Sequence, residues 1–393
     1  ILRKRDGIVQ LVQEEGMEPS LKNGDSIAVE GVVNEEKRAP GGFELRLTKI
    51  EVLSRPAAAM PIDIAKYKLN TSLDALLELR PVTLRNLQQR AIFKIQEGIA
   101  RGFREYLTSQ NFTEIHTPKI VSAGAEGGAN IFKLEYFHKK AFLAQSPQFY
   151  KQMLVPVYER VFEIGPVFRA EKHSTARHLN EYTSMDFEMG FIDSFHDIMA
   201  METGMLQYTF DLLKREYARQ VAALKIQLPD VSSIPMVRFD EAKQMVSEKY
   251  HTKIRNPFDL EPEEEHNISR LFQEEYGSDF VFVTHYPSKK RPFYAMDDPA
   301  DPRYTLSFDL LFRGMEITTG GQRIHDYEAQ VAKMKARNMD PADFESYLMT
   351  HKCCTPPHGG LGIGLERLTM KLLGQDNVRY SCMFPRDLKR LEP

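Results

Sequence analysis

Residues 356 to 370 read PPHGGLGIGLERLTM, with glycine at 360, 362 and 364 and Leu361, Ile363 and Leu365 between them. Side chains alternate across a strand, so this segment packs an apolar face on one side and leaves bare backbone on the other. A dinucleotide-binding turn would need G-x-G-x-x-G followed by a βαβ unit with an acidic residue about 20 positions on. Position 365 is Leu and too little chain follows, so that reading fails. Two others remain: close packing against a neighbouring strand, or a floor on which a flat group such as a purine lies. In the second, Glu366 and Arg367 open the next helix, with Arg367 placed to cover that group.

The 393 residues suffice for two or three domains, each with its own core. No apolar run approaches a membrane span and no signal-peptide pattern opens the sequence, so a soluble, cytoplasmic protein is expected. Cys353 and Cys354 are adjacent and Cys382 stands alone, which gives neither a metal spacing nor a disulfide framework. The net charge of -3 gives no bulk support to a nucleic-acid partner, which local patches would have to hold.

Residues 1–55 hold three strand-like segments, GIVQLV, SIAVEGVV and FELRLTKIEVL, which predict a small β-barrel or sandwich. An Ala- and Pro-rich stretch follows, so 56–80 reads as a linker and 81–393 as the main domain, with a charged, irregular insertion at about 220–290. Apolar residues from Leu84 to Leu107 at 3-to-4 spacing predict an amphipathic helix, Ser194 with Asp197 a helix start, and 326–350 a further helix.

The segment FEIGPVFRAEKHSTARHLNEYTSMDFEMGF, 162 to 191, has the form of an arginine strand, a basic loop and a returning strand. It resembles motif 2 of the class II aminoacyl-tRNA synthetases, GLGIGLER resembles motif 3, and FTEIHTPKI with Pro118 resembles motif 1. In detail the chain is similar to the aspartyl-tRNA synthetases of archaeal and eukaryotic type. The resemblance implies an α+β fold, a six-stranded antiparallel sheet flanked by helices, preceded by an anticodon-binding OB-fold. An OB-fold has about five strands, so its first strands are expected upstream of Ile1. It further implies a homodimer with motif 1 at the interface, ATP as substrate with Mg²⁺, and tRNA-Asp as partner.

The implied reaction joins the aspartate carboxylate to the ATP α-phosphate and then transfers the acyl group to a tRNA hydroxyl, so phosphate charge and positioning dominate. By the resemblance Arg169 bridges α-phosphate and carboxylate, suiting its planar fork, and Glu171 holds the adenine or a neighbouring group. His178 reaches the terminal phosphates, while Tyr182 and Arg367 cover the two faces of adenine. In LSFDLLFRGMEITTGGQRIH a two-residue turn at Arg313-Gly314 sets Glu316 opposite Leu311, on the face of Asp309. Two close carboxylates suit Mg²⁺. Thr319, the further ligand implied by the resemblance, has the wrong strand parity unless the backbone leaves the strand at Gly320-Gly321.

Aspartate carries a second carboxylate, for which Lys151 and Arg323 would supply cations; the plain alternative for Lys151 is an exposed helix lysine. Ser146, Gln148 and Asp186 are placed for the ammonium and for ordering the substrate, and Glu126 lies in a glycine-rich loop that closes over it. The rivals are an asparaginyl-tRNA synthetase of the same lineage, set apart chiefly by Lys151, a related asparagine synthetase, and an inactive RNA-binding paralogue. In the first domain Gln10 matches an anticodon-contacting glutamine. Pro40 falls where enzymes that charge both tRNA-Asp and tRNA-Asn tend to carry proline, or it is simply a turn residue. A relaxed enzyme would depend on an amidotransferase to convert Asp-tRNA-Asn.

Overall fold

The computed structural model describes residues 1–5, 7–122, 130–173 and 175–392. It divides the chain into two compact units, Ile1–Leu69 and Asn70–Pro393. The boundary lies inside the 56–80 stretch, whose last part is helical: α1 (Leu73–Glu78), capped by the Ser72 hydroxyl on the Ala75 N–H, and α2 (Arg80–Thr83).

In the first unit the three expected strand segments all form. The strands β1 (Leu2–Arg3), β2 (Ile8–Val12), β3 (Ser26–Glu35) and β4 (Phe43–Ser54) make a sheet of order β1-β2-β4-β3. Gln10 on β2 donates from Nε2 to Glu44 Oε2 at 3.1 Å. Pro40 opens the tight turn between β3 and β4; Gly41 and Gly42 follow with φ of 83° and 81°, a left-handed backbone that favours glycine.

The second unit begins with α3 (Leu87–Ser109). Asn86 caps it by accepting from the Gln88 and Gln89 N–H groups, which leaves Leu84 outside the predicted helix. Next come β5 (Thr113–Glu114) and a small sheet of β6 (Ile120–Val121), β7 (Lys133–Tyr136) and β8 (Lys139–Leu143). They are followed by α4 (Gln148–Tyr158), β9 (Arg160–Phe168), β10 (Glu181–Gly190) and α5 (Phe195–Glu216). The Ser194/Asp197 capping box starts α5 as the sequence predicts.

The charged stretch read as an irregular insertion is structured. It holds α6 (Ala218–Ala223), β11 (Met236–Arg238), α7 (Phe239–Tyr250), α8 (Pro262–Tyr276) and β12 (Phe280–Thr284). Phe239, Val246, Ile268 and Phe272 pack with Val281 and Val283 into a second core, and Lys243, Glu264 and Glu265 are buried with them. The remaining elements are β13 (Asp297–Asp298), β14 (Asp301–Thr305), β15 (Ser307–Phe312), β16 (Glu316–Gln322), α9 (Tyr327–Ala336), α10 (Glu345–Lys352), β17 (His358–Gly364) and α11 (Leu365–Leu372). The helix expected over 326–350 is two helices, because Asn338 takes a left-handed φ of 57° and Pro341 follows.

The main sheet has the order β11-β12-β15-β16-β17-β10-β9-β5. The six strands from β12 to β9 pair antiparallel, and β11 and β5 add at the edges in parallel. One face packs on α3 and α5: Ile99 and Phe103 meet Phe162 and Phe187, and Phe308, Leu310, Leu361 and Ile363 belong to the same core. The opposite face carries the site.

The helices α3 and α5 meet through glycine. A Cβ on Gly102 would lie 2.5 Å from Thr209 Oγ1 and 2.9 Å from Thr209 Cα, so part of the obstruction is backbone. Overpacking of this kind costs about 1–3 kcal/mol, against the roughly 1 kcal/mol that alanine gains over glycine in a helix. Gly102→Ala is therefore expected to lower stability despite its better helix propensity, read as a reduced urea midpoint. A midpoint equal to or above the parent's would contradict the close α3–α5 approach.

Candidate active site

On the free face of the sheet, strand register builds the site row by row. Asp186 of β10 stands beside Gly362 of β17, which stands beside Thr319 of β16, opposite Asp309 of β15. The next row is Glu188, Gly360, Gly321 and Ser307. Above these rows lies a cavity of about 1070 Å³, whose wall includes Ser146, Gln148, Lys151, Arg169, Glu171, His178, Tyr182, Asp186, Glu316, Thr319, Arg323 and Arg367. Candidates scattered over more than 200 positions thus meet on one surface. Glu126 lies outside the described residues, and Gln10 and Pro40 belong to the first unit.

The glycine floor is shorter than the alternation implies. Gly362 and Gly364 line the cavity. A Cβ on Gly360 would lie 2.1 Å from Phe187 O and 2.3 Å from Glu188 Oε2, so this glycine makes room for the neighbouring strand and its carboxylate. Close strand packing accounts for Gly360, while Gly362 and Gly364 leave open backbone on the cavity side.

Lys151 is a buried residue, 2% exposed, not an exposed helix lysine. Its ammonium donates to Asp186 Oδ1 at 2.9 Å and Leu361 O at 2.8 Å and lies 3.4 Å from Glu188 Oε2. Arg323 donates from Nε to Glu188 Oε1 at 2.9 Å and from Nη2 to Gly360 O at 2.9 Å. Burial raises the Glu188 carboxyl, but the Arg323 and Lys151 charges outweigh it and hold the group below the usual carboxylate range. Burial pushes the adjacent His358 down to about 4, so it carries no charge at neutral pH. The result is a buried quartet of two cations and two anions. Nearby, the Ser146 hydroxyl accepts from the Gln148 N–H at 3.1 Å and orders the start of α4.

Beyond β9 the loop 170–179 is closed at its base: the Arg169 N–H donates to Asn180 O at 2.9 Å and Asn180 Nδ2 returns to Arg169 O at 2.7 Å. Glu171 accepts from Asn130 Nδ2 at 3.1 Å. His178 pairs with Thr175 Oγ1 at 2.6 Å, and burial together with the Arg367 charge lowers its pKa. Arg367 donates from Nη1 to Glu316 O at 3.2 Å. Glu366 anchors α11 by accepting from the Thr183 N–H at 3.1 Å, and burial pushes its carboxyl up to about 7.

The β15–β16 hairpin turns at Arg313-Gly314 and pairs Leu311 with Glu316 as expected. The parity of Thr319 is corrected elsewhere than predicted. A bulge between Leu310/Leu311 and the paired Thr318/Glu316 leaves Ile317 extra, which sets Thr319 on the face of Glu316 while Gly320 and Gly321 stay within the strand. Thr319 Oγ1 donates to Glu316 Oε1 at 3.0 Å. The two glycines serve packing instead: Cβ atoms there would lie 2.5 Å from Phe308 Cζ and 2.8 Å from Leu306 O. Asp309 shares this face but is buried and bound to Arg291 Nη2 at 2.7 Å, away from the cavity wall. Burial, with the Glu316 charge adding, raises its carboxyl to about 6. Among the described residues no three His, Cys, Asp or Glu groups cluster at metal-binding distance. The donor set is therefore a carboxylate and a hydroxyl on the wall with a second carboxylate behind them, which suits Mg²⁺, an ion that keeps several waters and shares phosphate oxygens.

Sequence reasoning missed Glu188, Arg177, Glu265 and Arg291. Glu188 was legible, since Tyr182, Ser184, Asp186 and Glu188 alternate along one strand face. Arg177 was legible as well, since it precedes His178 in the basic loop, whereas Glu265 and Arg291 reach the site only through tertiary packing.

The family model for tRNA synthetases class II (D, K and N) matches residues 72–388. The chain is 46% identical to the aspartate–tRNA(Asp/Asn) ligase of Deinococcus radiodurans, over all of this chain and 91% of that protein. It is likewise 46% identical to the enzyme of the same name from Thermus thermophilus, over all of this chain and 92% of the other. Among solved structures, asparaginyl-tRNA synthetase from Pyrococcus horikoshii with asparaginyl-adenylate superposes with a TM-score of 0.91 at 32% identity, covering all of this chain and 91% of that one.

Behind the hairpin, Glu202 of α5 accepts from Thr318 Oγ1 at 2.6 Å, and its Oε2 has no partner among the described residues. Burial pushes its carboxyl from 4.5 up to about 8, so it is protonated in the folded protein at neutral pH. Between those values the folded state binds the extra proton, so stability falls as pH rises, at about 1.4 kcal/mol per pH unit. Glu202→Gln should flatten that slope between pH 5 and 8 in urea unfolding. Equal slopes in both proteins would place the proton elsewhere.

Proposed function

The chain belongs to the class II tRNA synthetases of the D, K and N group, and we propose that within this family it acts as an aspartate–tRNA ligase. The observation that carries the reading is the buried quartet of Lys151, Arg323, Asp186 and Glu188, which is neutral as a whole. L-aspartate adds one side-chain carboxylate and one ammonium, so the pocket stays neutral: the carboxylate takes Lys151 and Arg323, and the ammonium takes Asp186. Asparagine would bring the ammonium alone and leave an unmatched buried charge, at a cost on the order of several kcal/mol. The asparaginyl reading is disfavoured on that ground and by the 46% identity to two aspartate ligases.

In this reading Arg169 holds the α-phosphate and the substrate carboxylate together, which makes the attack effectively intramolecular. Glu171 fixes the nucleotide, Tyr182 and Arg367 cover adenine, and His178 meets the terminal phosphates, where added negative charge restores its proton. Glu316 and Thr319 would hold Mg²⁺, with Asp309 fixed behind them by Arg291. Bound there, Mg²⁺ would supply positive charge to offset that of the departing diphosphate. The acyl group then passes to the terminal ribose of tRNA. The supporting setting is a cytoplasmic homodimer joined through the segment from about 84 to 120, with Pro118, between β5 and β6, at or near the interface.

Each charge-assisted bond to the aspartate carboxylate is worth about 1.5–3 kcal/mol, or one to two decades in rate. Lys151→Leu should lower kcat/KM for aspartate by at least tenfold in ATP–diphosphate exchange, leave the KM for ATP near its parent value, and not favour asparagine. An unchanged aspartate kcat/KM would remove Lys151 from the pocket's selectivity.

The second acceptor is tRNA-Asn. Pro40 offers no N–H and no charge in the β3–β4 turn, so it excludes neither third anticodon base, and the relatives from Deinococcus radiodurans and Thermus thermophilus carry names that include both tRNAs. Such an enzyme works with an amidotransferase that converts Asp-tRNA-Asn. Transcripts with anticodons GUC and GUU should be aspartylated at comparable rates, and charging of the first alone would reduce Pro40 to a turn residue.

A further inference from the structure

We propose that Glu265 is a positioning residue for adenylate formation, clamping Arg177 of the 170–179 loop and the backbone of Glu316 so that both face the terminal phosphates of MgATP. The inference rests on the synthetase reading above and adds to it a residue from α8, in the stretch whose charge pattern suggested a solvated insertion.

The geometry is a closed circuit. Glu265 Oε2 accepts from Arg177 Nη2 and from the Glu316 N–H, the latter at 3.1 Å. Arg367 completes the ring, with Nε on Arg177 O at 3.4 Å and Nη1 on Glu316 O at 3.2 Å. Four residues from α8, the loop, β16 and α11 therefore fix one another, and Glu265 is the member that binds two of them through a single oxygen. Arg177 lines the cavity, and its buried Nε has no hydrogen-bond partner among the described residues, so it keeps a donor after Glu265 is served.

Glu265 is itself held firmly. It sits in the first turn of α8, where Glu264 forms a buried pair with Lys243 at 2.8 Å and Pro262 presets the first helical position. One residue on, His266 packs on the hairpin turn, where a Cβ on Gly314 would lie 3.0 Å from its ring. A carboxylate on so fixed a helix turns a basic loop, which solvent would otherwise let swing, into a preorganised donor set. The loop meets the nucleotide phosphates and the aspartate pocket lies along the sheet, so the clamp acts on ATP and not on the amino acid.

The test uses the full chain with Glu265→Ala, and Glu265→Gln as the isosteric control in case the alanine variant folds poorly. In aspartate-dependent ATP–diphosphate exchange, losing the placement of Arg177 should raise the KM for ATP by roughly 10- to 100-fold in the alanine variant, the worth of about one charge-assisted bond. The glutamine variant, which keeps the acceptor but not the charge, should fall between, and the KM for aspartate should stay at the parent value in both. In an Arg177→Ala background the second substitution should add little. Calorimetric titration with MgATP must show the same weakening. An unchanged KM for ATP, or ATP and aspartate values rising together as for general disruption, overturns the proposal. A parent protein that binds MgATP but gives no exchange overturns the ligase reading while the titration still decides the clamp; one that binds no MgATP overturns both.

Discussion

Everything on the free face of the sheet depends on how closely β17 lies between β10 and β16. At Gly360 a methyl group would press on the backbone of Phe187, and at Gly359 it would lie 2.7 Å from Gly321 O. Backbone cannot rotate aside as a flexible side chain can, so any larger residue would push strands apart. That would break the rows placing Asp186, Gly362 and Thr319 side by side. The pocket is thus a product of register, and register here is a product of missing side chains.

Much of this was legible in the chain because period two is a local signal. The alternation at 360–365, the facing of Leu311 and Glu316, and the polar face of β10 all follow from counting. The Ser194 cap and the face of α3 follow from period 3.6 and side-chain chemistry. The failures are equally physical. One extra residue, Ile317, reverses strand parity without leaving a composition mark, so Thr319 seemed misplaced and the glycines after it were given the wrong task. Lys151 is expected in the pocket by resemblance alone, since most lysines lie at the surface; the two carboxylates of β10 beneath it are what justify its burial.

The stretch 220–290 teaches the reverse lesson. High charge with broken periodicity suggests an insertion, yet Val281 and Val283 of β12 share a core with α7 and α8, and the first turn of α8 binds Glu316 of the cavity wall. Acidic residues in a helix's first turn are favoured by its dipole whether or not they do anything else. Glu263, Glu264 and Glu265 therefore look alike in sequence, while among these three Glu265 is the one that accepts from Arg177.

In the proposed aspartate reading, the quartet of Lys151, Arg323, Asp186 and Glu188 would make amino-acid capture an exchange of ions. The substrate's carboxylate and ammonium would each replace a protein group of the same sign, so partners would be traded without creating a naked charge in the interior. Within the chain itself Asp186 already matches Lys151, and Glu188 matches Arg323. What the pocket gains on binding is only a difference between two sets of good contacts. That favours ready release over tight retention, as befits a site that must empty once per acyl transfer.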